Sequence, residues 1–580
     1  MEVFPNQEEI DITADLLVNV YNISSQMIRR LLGERQRDEA NGILNSIKGE
    51  SMTKLDLVKL LIMRKGSELL AGSSEEVKDL RLFLLSKLSD DTITKLFEEH
   101  GQRNNSISSP SHMRKPLSHK PWHANGRWSN AFVEAIGFPK IFAGVLQRDS
   151  LPTIDDYEPR KIIPELVEFQ KILKSNMLKV LEQEGNKTRC IVTLPTGGGK
   201  TRVAVEAFIE WMQKRFANGQ YMIWIAQSEE LCEQALVCIE EMWGSREYVS
   251  ALRVYRYYGG RKVPEKELKG GAVVASIQQI YNRVKSGDKV LNDFLKNCGA
   301  MIIDEAHRAV TDMYDVLLDR AEQLCGSELF PICGLTATPG RAGVNKIDEI
   351  YKLTNRFEIF LIKPELGEKY SDDPVKYFRE NGYLANPRHI VCEMGKEYEL
   401  TDSDIEQMNK ENDVPAGFRK RLAWDRERNI HIIKRLMKIK KGCPTIVYAC
   451  TVEHAYFLSV MMTAISGRRT AAVSSDTSMT IRRGIIRDFK NGKIDFLFNY
   501  GVLTTGFDAP KTECIVICRP TTSDILYEQI LGRGLRGPKF RGTKECQIID
   551  FADNIKRLGK PLAYARFKDY WIEESIEDNC

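Results

Sequence analysis

No C-x-x-C pair occurs in this 580-residue chain, although it holds 13 cysteines. They are scattered singly from Cys190 to Cys580, which excludes zinc sites built on closely spaced thiolates. Cys514 and Cys518, in the apolar run CIVIC, read instead as small buried hydrophobes. Long apolar runs are also missing. None approaches the ~18 residues that suggest a bilayer span, so no membrane role is expected. The N-terminus, MEVFPNQEEIDI, is acidic and lacks the charged-then-apolar plan of a signal peptide, so a cytoplasmic location is expected. Charge of one sign is scarce: 84 Lys and Arg against 80 Asp and Glu leave a net charge of +4. That balance neither demands nor excludes nucleic acid, because a local groove matters more than the total. No nuclease-like acidic cluster is visible, so cleavage of a polymer would need a partner.

The chain is too long for one core. Residues 1–101 read as a small helical N-terminal domain. Within it Gly72 reads as a helix stop, Ser73 and Glu76 as a capping box, and Leu82, Leu85 and Leu88 as one apolar face. Residues 102–163 read as a linker and connecting segment. The part from Gln102 to Lys120 is polar and basic, and Trp122 and Trp128 follow it as packing anchors or base-stacking rings. From residue 164 short apolar runs alternate with helical patterns, the signature of α/β domains with parallel sheets. CIVTL, YMIWIA, AMIID and ICGLTA fall in a first domain, 164–360. TIVYAC, DFLFNY, CIVIC and CQIIDF fall in a second, 431–580, with a polar connector over 361–430. The predicted fold is two such domains in tandem behind the helical one.

Two motifs carry chemistry by themselves. CIVTL runs into LPTGGGKT, Leu194 to Thr201, and then into an amphipathic helix. Strand, glycine-rich turn and helix make a phosphate cradle, because glycines let backbone N–H groups converge on an anion at a helix N-terminus. Thr196, Gly197, Gly198 and Gly199 form the loop. Lys200 would reach the β- and γ-phosphates of ATP, and Thr201 would ligate Mg²⁺. The second motif, MIIDEAH, delivers two carboxylates at a strand end: Asp304 for the Mg²⁺ shell, Glu305 to orient and deprotonate a water.

The order LPTGGGKT, DEAH, LTATP, VLTTGFDAP, QILGRGLR resembles the motif series of superfamily 2 helicases, over roughly residues 164–555. LTATPGR, YACTVEHA, ENGYLANP and GVLTTGFDAP are most similar to the RadD-like bacterial helicases and the motor subunits of type III restriction enzymes. The resemblance implies two RecA-like domains and further roles. Gln170 would read adenine. Thr336 and Thr338 would link the ATP site to the nucleic-acid groove or serve as capping hydroxyls, and His307 would couple the domains. Gly506, Asp508 and Gln529 would contact nucleotide from the second domain. Arg533 and Arg536, spaced for one helical face, would neutralise charge in phosphoryl transfer. Gln227, Ser228, Ser276, Gln278, Thr451 and Thr504 would hold a nucleic-acid backbone. The RadD-like cysteine-rich extension is not seen after Arg536. The expectation is an ATP-dependent helicase or translocase, on DNA rather than RNA, in repair or restriction-like defence, with a protein partner recruited by the helical domain. An RNA helicase and an ATP-switched nucleic-acid sensor are the rivals.

Overall fold

The computed structural model describes residues 4–101, 109–145, 152–158, 165–184, 187–213, 215, 218–243, 251–325, 330–337, 347–370, 373–411, 413–503, 509 and 511–556. Two sheets organise it. The first contains β1 (Ile154–Tyr157), β2 (Arg189–Thr193), β3 (Tyr221–Ala226), β4 (Leu252–Tyr257), β5 (Gly271–Ser276), β6 (Cys298–Asp304), β7 (Ile332–Thr336) and β8 (Leu361–Ile362). Their order is β1-β4-β5-β3-β6-β7-β2-β8, parallel except that β1 runs against β4. The second contains β9 (Asn386–Glu399), β10 (Thr445–Tyr448), β11 (Thr470–Val473), β12 (Phe496–Asn499), β13 (Cys514–Ile517) and β14 (Glu545–Lys556). Its order is β11-β12-β10-β13-β14-β9, with every pairing parallel.

The period-2 alternation of strand side chains explains the layers. In β3, Met222, Trp224 and Ala226 join one core, while Tyr221, Ile223 and Ile225 join the core on the opposite face. In the second sheet, Ile515 and Ile517 of β13 face one core and Cys514 and Val516 the other. Both faces are covered, as parallel sheets require. Twelve cysteines are described and all are free thiols, most of them buried in these layers. Among the described residues, no helix is long and apolar enough to cross a membrane.

The helical part differs from its sequence reading in extent. Between Gln7 and Ala135 eight α-helices are described, and they do not stop at residue 101. Pro110–His119, within the stretch read as linker, is a helix packed on Glu75–Ser86 and Asp90–His100. Met113 and Leu117 are its buried apolar side chains, one helical turn apart. Pro110 sits in the first turn, where a missing N–H costs nothing. Trp122 and Trp128 are packing anchors: each meets Phe132 edge-on, at 5.6 and 5.5 Å between ring centroids. The helix Glu75–Ser86 starts after Ser74, one residue later than read, and buries Val77, Leu80, Leu84 and Leu85. The buried face runs through Leu80 and Leu84, so Leu82, about 200° round the helix from Leu80, is only partly covered, and Leu88 lies beyond the helix end.

The bundle also shares a core with the second α/β domain. Helices Glu34–Lys48 and Lys54–Lys65 lie on Arg426–Met437 and Val452–Ser466, the two helices that cover one face of the second sheet. Leu32, Ala40 and Leu60 belong to one apolar cluster with Phe457, Val460 and Met461. Arg426 pairs with Glu39 at 3.0 Å on the rim. The connector over 361–430 is likewise structured: it supplies β8 to the first sheet and β9 to the second.

Candidate active site

β2 lies between β7 and β8, so its carboxyl end opens where loops from the parallel strands converge. The chain leaves β2 at Thr193, turns through Leu194–Gly199 and enters the helix Lys200–Gln213. Gly197 and Gly199 both have φ +87°, a conformation that costs an L side chain about 1–2 kcal/mol. Gly198 donates its N–H to the Pro195 carbonyl at 2.9 Å, closing the turn. Lys200 Nζ reaches back to the carbonyl oxygens of Leu194 and Pro195, at 2.9 and 3.4 Å. Burial lowers its pKa from the ordinary lysine value, while the charges of Glu305 and Asp304 act in the other direction.

Gln170 is not at the surface. It is 1% exposed, and its Nε2 donates to the Gly198 carbonyl at 3.1 Å while its Oε1 accepts from the Val167 N–H at 3.3 Å. A side chain at Gly199 would meet that Nε2 at 2.6 Å. Gln170 thus braces the glycine loop from beneath.

Asp304 ends β6, and its carboxyl pKa is pushed up to about 7, first by burial and then by the neighbouring Glu305 charge. Glu305 turns the chain at φ +50°, with its N–H on Asp304 Oδ1 at 2.9 Å. His307 is buried, with Nδ1 3.1 Å from Thr336 Oγ1 and 3.4 Å from Glu305 Oε2. Thr336, at the end of β7, is therefore tied to the carboxylate pair through one imidazole. The oxygen donors beside the loop, the Asp304 and Glu305 carboxylates and the Thr201 hydroxyl, are hard ligands of the kind Mg²⁺ takes. Among the described residues no group of three or more His, Cys, Asp and Glu could hold a metal ion by itself.

The second domain closes over this loop. Gly532 packs against Thr196, and a side chain at Gly197 would come within 3.2 Å of Leu384 Cδ2 and 3.7 Å of Arg536 Cγ. Arg533 is close enough for its charge to lower the pKa of both Lys200 and Asp304. One feature corrects the sequence reading. Arg533 and Arg536 do not share a helical face, because the helix Asp524–Leu531 that carries Gln529 stops at Gly532. Arg536 instead forms an antiparallel bridge with Leu384, and Ala385 N–H bonds the Leu535 carbonyl at 3.0 Å. The ENGYLANP stretch therefore takes part in the cleft. Its Tyr383 and the preceding Phe378 meet Phe169, the neighbour of Gln170, at ring distances of 5.2 and 5.1 Å. In the sequence this stretch marks only a resemblance; the aromatics Tyr377 and Phe378 just before it are the available signal for its packing.

The residues read as nucleic-acid contacts lie at the carboxyl ends of strands: Gln227 and Ser228 after β3, Ser276 and Gln278 at β5, Thr451 after β10. Three hydroxyls also cap helices. Ser228, Ser276 and Thr451 accept the N–H groups of Leu231, Gln279 and His454, at 3.3, 3.4 and 3.1 Å. Gln227 takes Arg308 Nη1 on its Oε1 at 2.6 Å and Gln278 Nε2 on its carbonyl at 2.9 Å. Thr338, Thr504, Gly506 and Asp508 lie outside the described residues.

Residues 163–341 match the family described as "Type III restriction enzyme, res subunit", and residues 428–537 match the helicase conserved C-terminal domain. The first match holds the glycine loop and the carboxylate pair, and the second holds the arginines that meet them. The chain belongs to the superfamily 2 helicases. The Saccharomyces cerevisiae protein described as "Putative ATP-dependent helicase IRC3" is 26% identical over 376 residues, 64% of this chain and 49% of the yeast protein. The Schizosaccharomyces pombe protein described as "Putative mitochondrial ATP-dependent helicase irc3" is 26% identical over 408 residues, 69% of this chain and 59% of that protein. The EcoKI type I restriction endonuclease subunit of Escherichia coli is 23% identical over 409 residues, 63% of this chain and 33% of that subunit. The chain thus spans about half the length of the curated relatives it matches.

Proposed function

We propose that this helicase hydrolyses ATP in the cleft between its two α/β domains and uses the cycle to move along nucleic acid, DNA in preference to RNA. The observation that carries the reading is the meeting of Thr196, Lys200 and Asp304 from one domain with Gly532 and Arg533 from the other. Phosphoryl transfer needs positioning and charge neutralisation from both sides, and a closing cleft supplies them together.

The glycine loop and the amino end of the helix Lys200–Gln213 cradle the phosphates, with Lys200 turned from its carbonyl partners towards the β- and γ-oxygens. Thr201 and Asp304 would hold Mg²⁺, which when bound supplies positive charge to the same oxygens. Glu305 orients the attacking water and accepts its proton. Arg533 and Arg536 neutralise charge that develops on the transferred group, and Gln529 contributes from the same side. Gln170 keeps the loop in shape beside the adenine. The imidazole of His307 connects Glu305 to Thr336, so a shift at the carboxylate pair moves the end of β7. Nucleic acid lies along the strand ends at Gln227, Ser228, Ser276, Gln278 and Thr451, held through phosphates and therefore salt-sensitive.

DNA is favoured because the first half matches a restriction-enzyme subunit and a type I restriction subunit is among the relatives. Repair or restriction-like defence follows as the setting, with the helical bundle as the seat of a protein partner. The test is the ATPase rate of the full chain with single-stranded, duplex and forked DNA and with RNA, against Lys200→Ala. DNA-stimulated turnover that vanishes in Lys200→Ala is expected. Stimulation by RNA alone would make it an RNA helicase. Nucleotide binding without stimulated turnover would make it a switch, and normal turnover in Lys200→Ala would sink the site itself.

A further inference from the structure

Three glycines crowd the cleft for three separate reasons. Gly197 is required by its backbone, at φ +87°. Gly534 is required inside the second domain, where an added Cβ would lie 2.4 Å from Cys546 Sγ and 2.9 Å from Ile515 Cδ1. Gly532 has neither reason. Its φ of −59° and ψ of −13° suit any residue. Within its own domain an added Cβ would come no nearer than 3.3 Å, at the Glu528 carbonyl oxygen. Across the cleft, however, that Cβ would lie 1.9 Å from Thr196 Cγ2 and 2.6 Å from Thr196 Cβ. Thr196 is β-branched and stiff at χ1, on a loop already tied down through Gln170, so it has little freedom to swing aside.

We infer that Gly532 is a positioning residue for cleft closure: its missing side chain sets how near Arg533 and Arg536 come to the phosphate loop. The inference rests on the reading of the cleft as an ATPase site. Any side chain at 532 acts as a spacer. Restoring an ordinary carbon–carbon contact of about 3.5 Å from 1.9 Å moves the domains apart by roughly 1.5 Å there. Misplacement of about 1 Å at a catalytic centre can cost on the order of 100-fold in rate. Nucleotide binding by the first domain is untouched, because Lys200 and the glycine loop keep their places.

The experiment compares the full-length wild type with Gly532→Ala and Gly534→Ala in three measurements. These are DNA-stimulated ATPase kinetics, thermal unfolding, and energy transfer between dyes on the two domains with a non-hydrolysable ATP analogue. Gly532→Ala is expected to unfold at the wild-type temperature, to keep its KM within about threefold, and to lose kcat by about 100-fold or more. Its dyes should stay further apart than in the wild type. Gly534→Ala should unfold at a lower temperature, marking what a fold defect looks like. Wild-type kcat in Gly532→Ala, or a melting loss matching that of Gly534→Ala, would overturn the inference. A wild type that turns over no ATP refutes the ATPase reading, and the dye distances then decide Gly532 by themselves: equal closure in both proteins overturns it.

Discussion

Replacing Glu305 by glycine separates two demands made on one position. Glu305 is held at φ +50°, a left-handed conformation that costs an L residue about 1–2 kcal/mol. Glycine takes that conformation freely but loses about 0.5–1 kcal/mol more chain entropy on folding. The difference favours the variant by about 0.5–1 kcal/mol. A second effect has the same sign. The Glu305 carboxylate is, after burial, the main reason the Asp304 pKa is pushed up to about 7, so its removal relieves like-charge crowding. Against this stands the loss of the contact with His307 Nδ1 at 3.4 Å, a long one for an ion pair. Glu305→Gly should therefore unfold 1–4 °C above the wild type, at roughly 2–4 °C per kcal/mol for a domain of this size. Its ATP turnover should fall about 10²–10⁴-fold, the usual contribution of a general base. Glu305→Gln keeps the backbone strain, so it should lose turnover without the full gain in stability. Calorimetry and phosphate-release kinetics read the two quantities independently. A melting temperature several degrees below wild type would refute the strain argument, and turnover within tenfold of wild type would refute the base.

Two further predictions concern the second domain. Arg428 and Asp553 form an ion pair with both side chains 0% exposed, and Arg428 also donates to the Cys518 carbonyl. Arg428→Met leaves a buried carboxylate uncompensated and should cost about 3–5 kcal/mol in urea unfolding, most of it recovered by adding Asp553→Leu; a double variant no better than the single one would contradict this. His454 is buried and accepts the Cys450 N–H on Nδ1 at 3.2 Å, with Nε2 2.9 Å from Asn429 Oδ1. Burial holds its pKa well below the ordinary 6.5, with the Arg428 charge acting in the same direction. The folded side chain thus stays neutral while the unfolded chain takes up a proton. Its stabilising contribution is full above pH 6.5 and is lost as pH falls below it, by up to about 1.4 kcal/mol per pH unit. Urea unfolding from pH 7.5 to 5 should show a shallower loss in His454→Gln than in the wild type; parallel slopes would count against the assignment.

The glycine loop and the carboxylate pair were legible because each is local: a strand, a turn and a helix written in consecutive residues. The apolar runs read as strands became β2, β3, β6, β7, β10, β12, β13 and β14. Six strands were not read: β4 and β5 inside the first sheet, and the four edge strands β1, β8, β9 and β11. Two of the edge strands, β1 and β9, show why. Ile154–Tyr157 carries two aspartates, and the far half of Asn386–Glu399 is largely exposed and charged, so neither shows an apolar run. The helix Pro110–His119 was hidden by its polar face and by Pro116 within it. Arg533 and Arg536 were given the wrong local structure. Spacing alone suggested a helix, whereas the approach of Gly532 to Thr196 is a tertiary fact with no local signature. The same holds for Gln170, whose amide is spent on the loop carbonyl that only the fold brings near.

The core shared by the helical bundle and the second sheet fixes what moves with what. On the proposed cycle, the bundle would travel with the second domain when the cleft opens, because the two share one apolar cluster. A partner seated on the bundle would then be carried by the same rigid piece that holds Arg533 and Arg536.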